Sequence, residues 1–313
     1  LLGSVAMLWP FERDQTPMNV AVGSWPGVET LVLASEQNLL PGRDINLVEM
    51  SWTSAAMVAF EKRVVSACVV SLDEMLRLEA GGHHPKAIMV MGISRGGDAI
   101  LAKPEIGSIA QLRGKRVGVE LRGAGEYLLA RALTDSAMKL ADVTLIPINV
   151  TESESRFEDG DFDAVVVADP WRTRLHANGL RTLMDSSKMG NELSRVLIVR
   201  SDSLNESEES VKLLVSAHLA ERARLNGAMG EETWLQPILR REGLDEKQFL
   251  GAMGAIQMPS KEENLKLLAG RNGGLMPVLR RMSVFMHKQG LTMREVTVEH
   301  LLTAKYIAGG DSK

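Results

Sequence analysis

The sequence predicts a two-lobe α/β fold, each lobe a mainly parallel sheet flanked by helices, followed by a helical C-terminal region. Three observations carry this. From residue 18 to residue 80, apolar runs of strand length alternate with helix-length amphipathic segments. The alternation breaks at residues 91–103, where glycines and polar side chains sit between two apolar runs, and it resumes at Arg116. Beyond Arg200 the pattern turns almost wholly helical. Repeated strand–helix–strand succession lays strands parallel and places helices on the sheet faces.

The elements follow in order. Residues 1–17 form an arm that is apolar through Pro10 and charged at Glu12-Arg13-Asp14. Its apolar part is too short to span a bilayer and reads as the remnant of a secretory signal peptide or as a simple arm. No cysteine comes after it to carry a lipid anchor. Residues 18–23 read as a strand, and Pro26 suits the first turn of a helix over 28–39, stopped at Pro41-Gly42. Strand 45–50, helix 55–62 and buried strand 67–70 come next. Ser71 opens a helix that Gly81-Gly82 ends. Strands over 86–91 and 99–102 flank the glycine knot. A second α/β unit has strands at 116–120, 144–148, 164–168 and 181–184, with helices at 108–115, 126–138, 151–157 and 172–177. Strand 195–200 precedes helices at 207–226, 231–242, 245–253, 261–269 and 276–289. The expected division is a large lobe over 18–95 and 190–313, with a small lobe over 98–186 inserted between two crossings.

Composition narrows the function. The 45% hydrophobic content supports a substantial core, filled with aliphatics and 17 methionines, because aromatics are only 4%. Lys and Arg total 36 against 40 Asp and Glu, net −4, which argues against a nucleic-acid binder that relies on bulk charge. The single cysteine, Cys68, excludes an internal disulfide and lies in an apolar run as an inert core thiol. No Cys/His spacing suggests a metal site, and no motif demands a cofactor.

In parallel sheets, ligands gather beyond the carboxyl ends of the strands, where helix N-termini present unpaired N–H groups. Such junctions here carry Ser24 and Trp25, then Trp52, Thr53 and Ser54, then Ser71 and Asp73. Taken singly, each hydroxyl is an ordinary helix cap; three in succession suggest a site. The knot adds Ser94 and Arg95. The second unit adds Glu120, Arg122, the Gly123-Ala124-Gly125 turn, Asp169 and Trp171. The turn lacks the third glycine of a dinucleotide fingerprint. Arg95, Arg122 and the helix N-termini favour an anion. Asp73, Glu120 and Asp169 favour an amine, so the ligand reads as a small organic anion or a zwitterion, or else an aminopyrimidine-like ring stacked on Trp.

Gly92-Ile93-Ser94-Arg95-Gly96 also spells the Gly-x-Ser-x-Gly of a hydrolase nucleophile elbow. That elbow needs a helix after the serine. Ser94 is succeeded instead by Gly96-Gly97, an apolar strand and Pro104, so the stretch reads as a flexible crossing between lobes, not as a nucleophile.

Three blocks resemble a known family: Ser24-Trp25-Pro26-Gly27-Val28-Glu29-Thr30-Leu31, Leu112-Arg113-Gly114-Lys115-Arg116-Val117-Gly118-Val119-Glu120, and Phe162-Asp163-Ala164-Val165-Val166-Val167-Ala168-Asp169-Pro170-Trp171. They are similar to substrate-binding proteins of ABC importers in the nitrate/sulfonate/taurine/pyrimidine-precursor family, which have the type II periplasmic binding protein-like fold. The resemblance implies a monomer outside the cytoplasm that closes on a small molecule and delivers it to permease subunits in the membrane. It implies no catalytic residue, metal, cofactor or nucleic acid. The family usually carries Glu where Asp169 stands and a small residue where Trp52 stands.

Overall fold

The computed structural model describes residues 16–51, 53–227, 232–270 and 272–308. The first apolar run forms β1 (Met18–Val22). Trp25 leads into a 3-10 turn at Pro26–Val28, with Pro at the start where its missing N–H costs nothing, and α1 (Glu29–Glu36) continues from it. Then come β2 (Ile45–Glu49), α2 (Thr53–Glu61), the fully buried β3 (Ala67–Ser71), α3 (Leu72–Ala80) and the long β4 (Pro85–Ser94). The second unit comprises β5 (Asp98–Ala102), β6 (Arg116–Val119), α4 (Ala124–Asp135), β7 (Thr144–Pro147), α5 (Ser153–Glu158), β8 (Ala164–Ala168), α6 (Trp171–Ala177) and β9 (Arg181–Asp185). The chain returns through β10 (Ser194–Arg200) to the helices α7 (Glu208–Gly227), α8 (Glu232–Glu242) and α9 (Glu246–Gly254). The short β11 (Ile256–Gln257), α10 (Lys261–Leu268) and α11 (Met276–Lys288) come last.

Two sheets result. The larger has the order β11-β4-β10-β3-β1-β2 and the smaller β7-β6-β8-β5-β9. This is a two-lobe α/β fold. Both sheets are mixed rather than mainly parallel. The β2–β1–β3 and β7–β6–β8 pairings are parallel, as helical crossovers require. The strands that carry the chain between sheets run the other way: β10 is antiparallel to β3 and β4, and β5 to β8 and β9. The reason is topological, since a chain that leaves a sheet on one strand and returns on its neighbour must reverse direction.

The sheets are joined at Arg95–Gly97 and over 186–193. Gly96 has φ +120°, a backbone state open to glycine and strained for other residues. The core of the larger sheet continues through α3 and α11 into one face of the smaller sheet, reaching Val117, Val119 and Leu128. The opposite face of the smaller sheet has a core of its own around Phe162, Val165, Trp171 and Leu175.

Candidate functional site

Between the sheets lies a cavity of about 60 Å³, enough for on the order of four water-sized groups. The large lobe lines it with Ser24, Trp25, Glu74 and Arg195. The small lobe contributes Asp98, Glu120, Ala124, Gly125, the end of β8 and Trp171. The indole of Trp25 is held between two neighbours. The Arg195 guanidinium lies 4.9 Å from its ring centre. On another side, a Cβ added at Gly92 would approach it to 2.7 Å, so only a glycine leaves room.

Arg195 itself is committed. It donates from Nη1 and Nη2 to both carboxyl oxygens of Asp98, at 3.1 and 2.7 Å, making a forked ion pair between β10 and β5. Glu74 reaches the cavity from the first turn of α3. Its Oε2 accepts from the Ser71 N–H at 2.7 Å, completing a capping box. Burial, together with the charge of Asp73 behind it, pushes the Glu74 carboxyl up to about 8. Glu120 approaches from the opposite lobe, with Oε1 accepting from the Ser54 N–H at 3.0 Å at the start of α2. Burial raises Glu120 as well, against the hydrogen bonding from Ser54. The α4 N-terminus opens onto the same space. Its cap, Gly123, has no side chain to satisfy the first-turn amides.

The other residues picked from sequence lie elsewhere. Ser71 is buried beneath the cavity and donates to Asp73 Oδ1 at 2.6 Å. Asp73 also lies 3.8 Å from Arg77 Nε. Asp169 is spent on α6, where it accepts from the Thr173 N–H and hydroxyl at 3.1 and 2.7 Å and pairs with Arg172. Arg95 turns outward to the Gly190 carbonyl, Asn191 and Gln257. Arg122, at φ +65°, points along the surface to Glu61 at 2.5 Å. Neither arginine lines the cavity. Thr53 begins α2, and Trp52 lies outside the described residues.

Ser94 is fully buried at the first crossing. Its hydroxyl is 2.7 Å from the Ser186 hydroxyl on the return crossing and accepts from the Asp98 N–H at 3.1 Å. Ser186 also accepts from the Gly96 N–H at 2.8 Å. No histidine is among these partners, and the next element is a strand, β5. The Gly-x-Ser-x-Gly pattern is therefore explained without nucleophilic chemistry: Gly92 seats Trp25, Ser94 ties the crossings together, and Gly96 supplies the turn.

Sequence reasoning missed Glu74, Asp98 and Arg195. Asp98 and Arg195 had a visible signal, a charge at the head of an apolar run of strand length, whereas Glu74 had none beyond its place in the first turn of a helix. Among the described residues, no group of three or more His, Cys, Asp or Glu comes together as metal ligands.

The family model described as the NMT1-like family matches residues 12–240. The chain belongs to the NMT1-like family. A candidate binding protein of Brucella abortus is 29% identical to this NMT1-like protein over 134 residues. That match takes in 42% of this chain and 41% of the relative, so it spans less than half the relative's length. Solved structures agree with it in fold. The alkanesulfonate-binding protein SsuA from Xanthomonas axonopodis pv. citri, bound to MOPS, superposes with a TM-score of 0.71 at 18% identity, covering 92% of this chain and 97% of that one. The desulfurization enzyme DSZB superposes at 0.62 and 18% identity, covering 93% and 98%. The fold thus serves both binding proteins and an enzyme, and the site must decide between them.

Proposed function

We propose that this NMT1-like protein is the solute-binding component of an ABC import system, working outside the cytoplasm as a monomer. In this reading, residues 18–95 and 190–313 form the large lobe and residues 98–186 the small one. The lobes close by bending at the two crossings, trap a small polar solute and present it to permease subunits. The observation that carries the reading is a cavity lined from both lobes, lying between the sheets that the two crossings join. Family membership and the superposition on a sulfonate-binding protein support it.

Ser24, Trp25, Glu120, Ala124, Gly125 and Trp171 are assigned to the site from the sequence-derived set, joined by Glu74, Asp98 and Arg195. A zwitterion suits this lining better than a bare anion, because Arg95 and Arg122 stand away from it and the α4 amides remain as the anion's seat. The indoles of Trp25 and Trp171 also suit an amino-substituted ring, the second reading. No catalytic residue is assigned. Ser94, the one nucleophile candidate, is occupied by Ser186 and the Asp98 amide.

Native mass spectrometry of gently purified protein tests this reading, since a captured solute identifies itself by mass. Solution scattering tests closure. The solute-bound protein is expected to be more compact than the emptied one, and no compaction with a tightly held solute would refute closure.

A further inference from the structure

We infer that the solute carries a hydrogen-bond-donating cation, an ammonium or amidinium group, seated between the carboxyls of Glu74 and Glu120. The inference rests on the cavity being a solute site and adds the sign of its charge.

The two carboxyls come from opposite lobes to the same point. A Cβ added at Gly123 would lie 3.5 Å from Glu74 Oε1 and 3.6 Å from Glu120 Cδ. Glu74 is only 2% exposed, and its Oε1 receives no donor among the described residues. That oxygen is open to the cavity, where an arriving donor can reach it. It faces the Glu120 carboxyl with the cavity beside it, so the pair together carries at most one negative charge when empty, and a hydrogen-bond donor bearing positive charge placed between them meets acceptors from both lobes. The charge of the site's arginine is already matched by a carboxylate, which weakens its pull on an incoming anion. Both forks of Arg195 are on Asp98, and its flat face is against Trp25. Arg77, behind the site, is likewise divided between the Leu291 carbonyl at 2.8 Å and Glu126 at 2.9 Å. A metal ion is a poorer occupant, because the described acids do not converge as a ligand set.

Proton linkage gives a signature. The Glu74 carboxyl, held up to about 8 first by burial and then by Asp73, retains its proton at neutral pH in the empty protein. A cation arriving beside it favours the carboxylate, so binding expels a proton. A bare anion in the same place would release none.

The test uses matched probes on the full chain: β-alanine against propionate, taurine against ethanesulfonate, and guanidinium against nitrate. Thermal shift ranks them. Calorimetry in two buffers of different ionisation enthalpy counts protons. The expected result is a raised melting temperature for at least one cation-bearing probe and none for its partner, with proton release at pH 7. Glu120→Gln, which keeps an acceptor for Ser54, should weaken that probe by about tenfold or more. Glu74→Gln should abolish the proton release, and circular dichroism checks that each variant is folded. The inference is overturned if an anion binds as well as its amine-bearing partner, or if no cation-bearing probe binds. A captured bare anion in native mass spectra removes this inference and leaves the solute site standing. An absence of any captured mass and of any probe binding removes both.

Discussion

Replacing Asp98 with Asn isolates the ion pair that joins the lobes beside the cavity. The side chains of Asp98 and Arg195 are only 5% and 10% exposed, so the surrounding water does little to screen them. The variant keeps the shape but removes the charge, leaving a buried guanidinium whose forked partner is lost. Breaking a buried pair from one side costs about 3–5 kcal/mol. In a chain of 313 residues that corresponds to a drop in melting temperature of about 5–8 °C. The assay is urea denaturation followed by tryptophan fluorescence, which reports on Trp25 directly beneath Arg195. Adding Arg195→Met to the Asp98→Asn background removes the stranded charge and should recover most of the loss, because the pair's cost lies mainly in being broken from one side. A single-variant cost under about 1 kcal/mol, the range of exposed pairs, would refute the reasoning. So would a double variant no more stable than Asp98→Asn alone.

Gly92→Ala should push the Trp25 indole from its seat, since the new Cβ would lie 2.7 Å from Trp25 Cη2 and 2.9 Å from Ile256 Cγ2. A stability loss of about 1–3 kcal/mol together with weaker solute capture is expected, read by denaturation and native mass spectrometry; unchanged capture would show that Trp25 is not a working wall. Ser94→Ala should cost about 0.5–1.5 kcal/mol through the lost tie to Ser186 and leave any esterase background unmoved, whereas loss of a measured esterase rate would restore the nucleophile reading. Stability should fall as pH rises from 6 to 9. Burial, reinforced by Asp73 and Glu29 respectively, holds the Glu74 and Glu242 carboxyls up to about 8 and about 9. The native state therefore keeps protons that the unfolded chain has lost above its ordinary 4.5. Each such group contributes a slope of up to about 1.4 kcal/mol per pH unit, which disappears above its folded value. Urea midpoints across that range should drop, less steeply in Glu242→Gln; a rising midpoint would contradict the assignment.

Local patterns carried much of this molecule into view and long-range pairing did not. The elements follow apolar periodicity and helix-stop signals such as Pro41-Gly42, so their positions were legible to within a few residues. The sense of the strands was not. Whether β10 runs with or against β3 depends on a return across the whole inserted lobe. The site divides the same way. Ser24, Trp25 and Trp171 flank strand ends, and their position near the cavity follows from local succession. Ser71 and Asp169 share that signature, yet their side chains are turned to neighbouring groups at their own helix starts, an outcome that sequence spacing cannot separate from ligand contact. Asp98 and Arg195 are 97 residues apart and acquire meaning only as a pair. Arg95 and Arg122 show the converse error, because a charge was legible and its direction was not.

The pairing of the crossing strands has a mechanical consequence. β4 and β10 are neighbours in one sheet, and β5 and β9 in the other. The polypeptide link between the sheets is thus a double-stranded ribbon, cross-braced in the middle by the bond between the Ser94 and Ser186 hydroxyls. A ribbon of this kind flexes readily through its thin dimension. It is stiff to shear, because sliding one strand along the other breaks a row of backbone hydrogen bonds. Under the proposed closure, such a link would confine the movement of one sheet over the other to a single arc, so that a residue on one wall meets the same partner on the other each time. Glu74 and Glu120 can then stay matched to one another although they stand on different lobes.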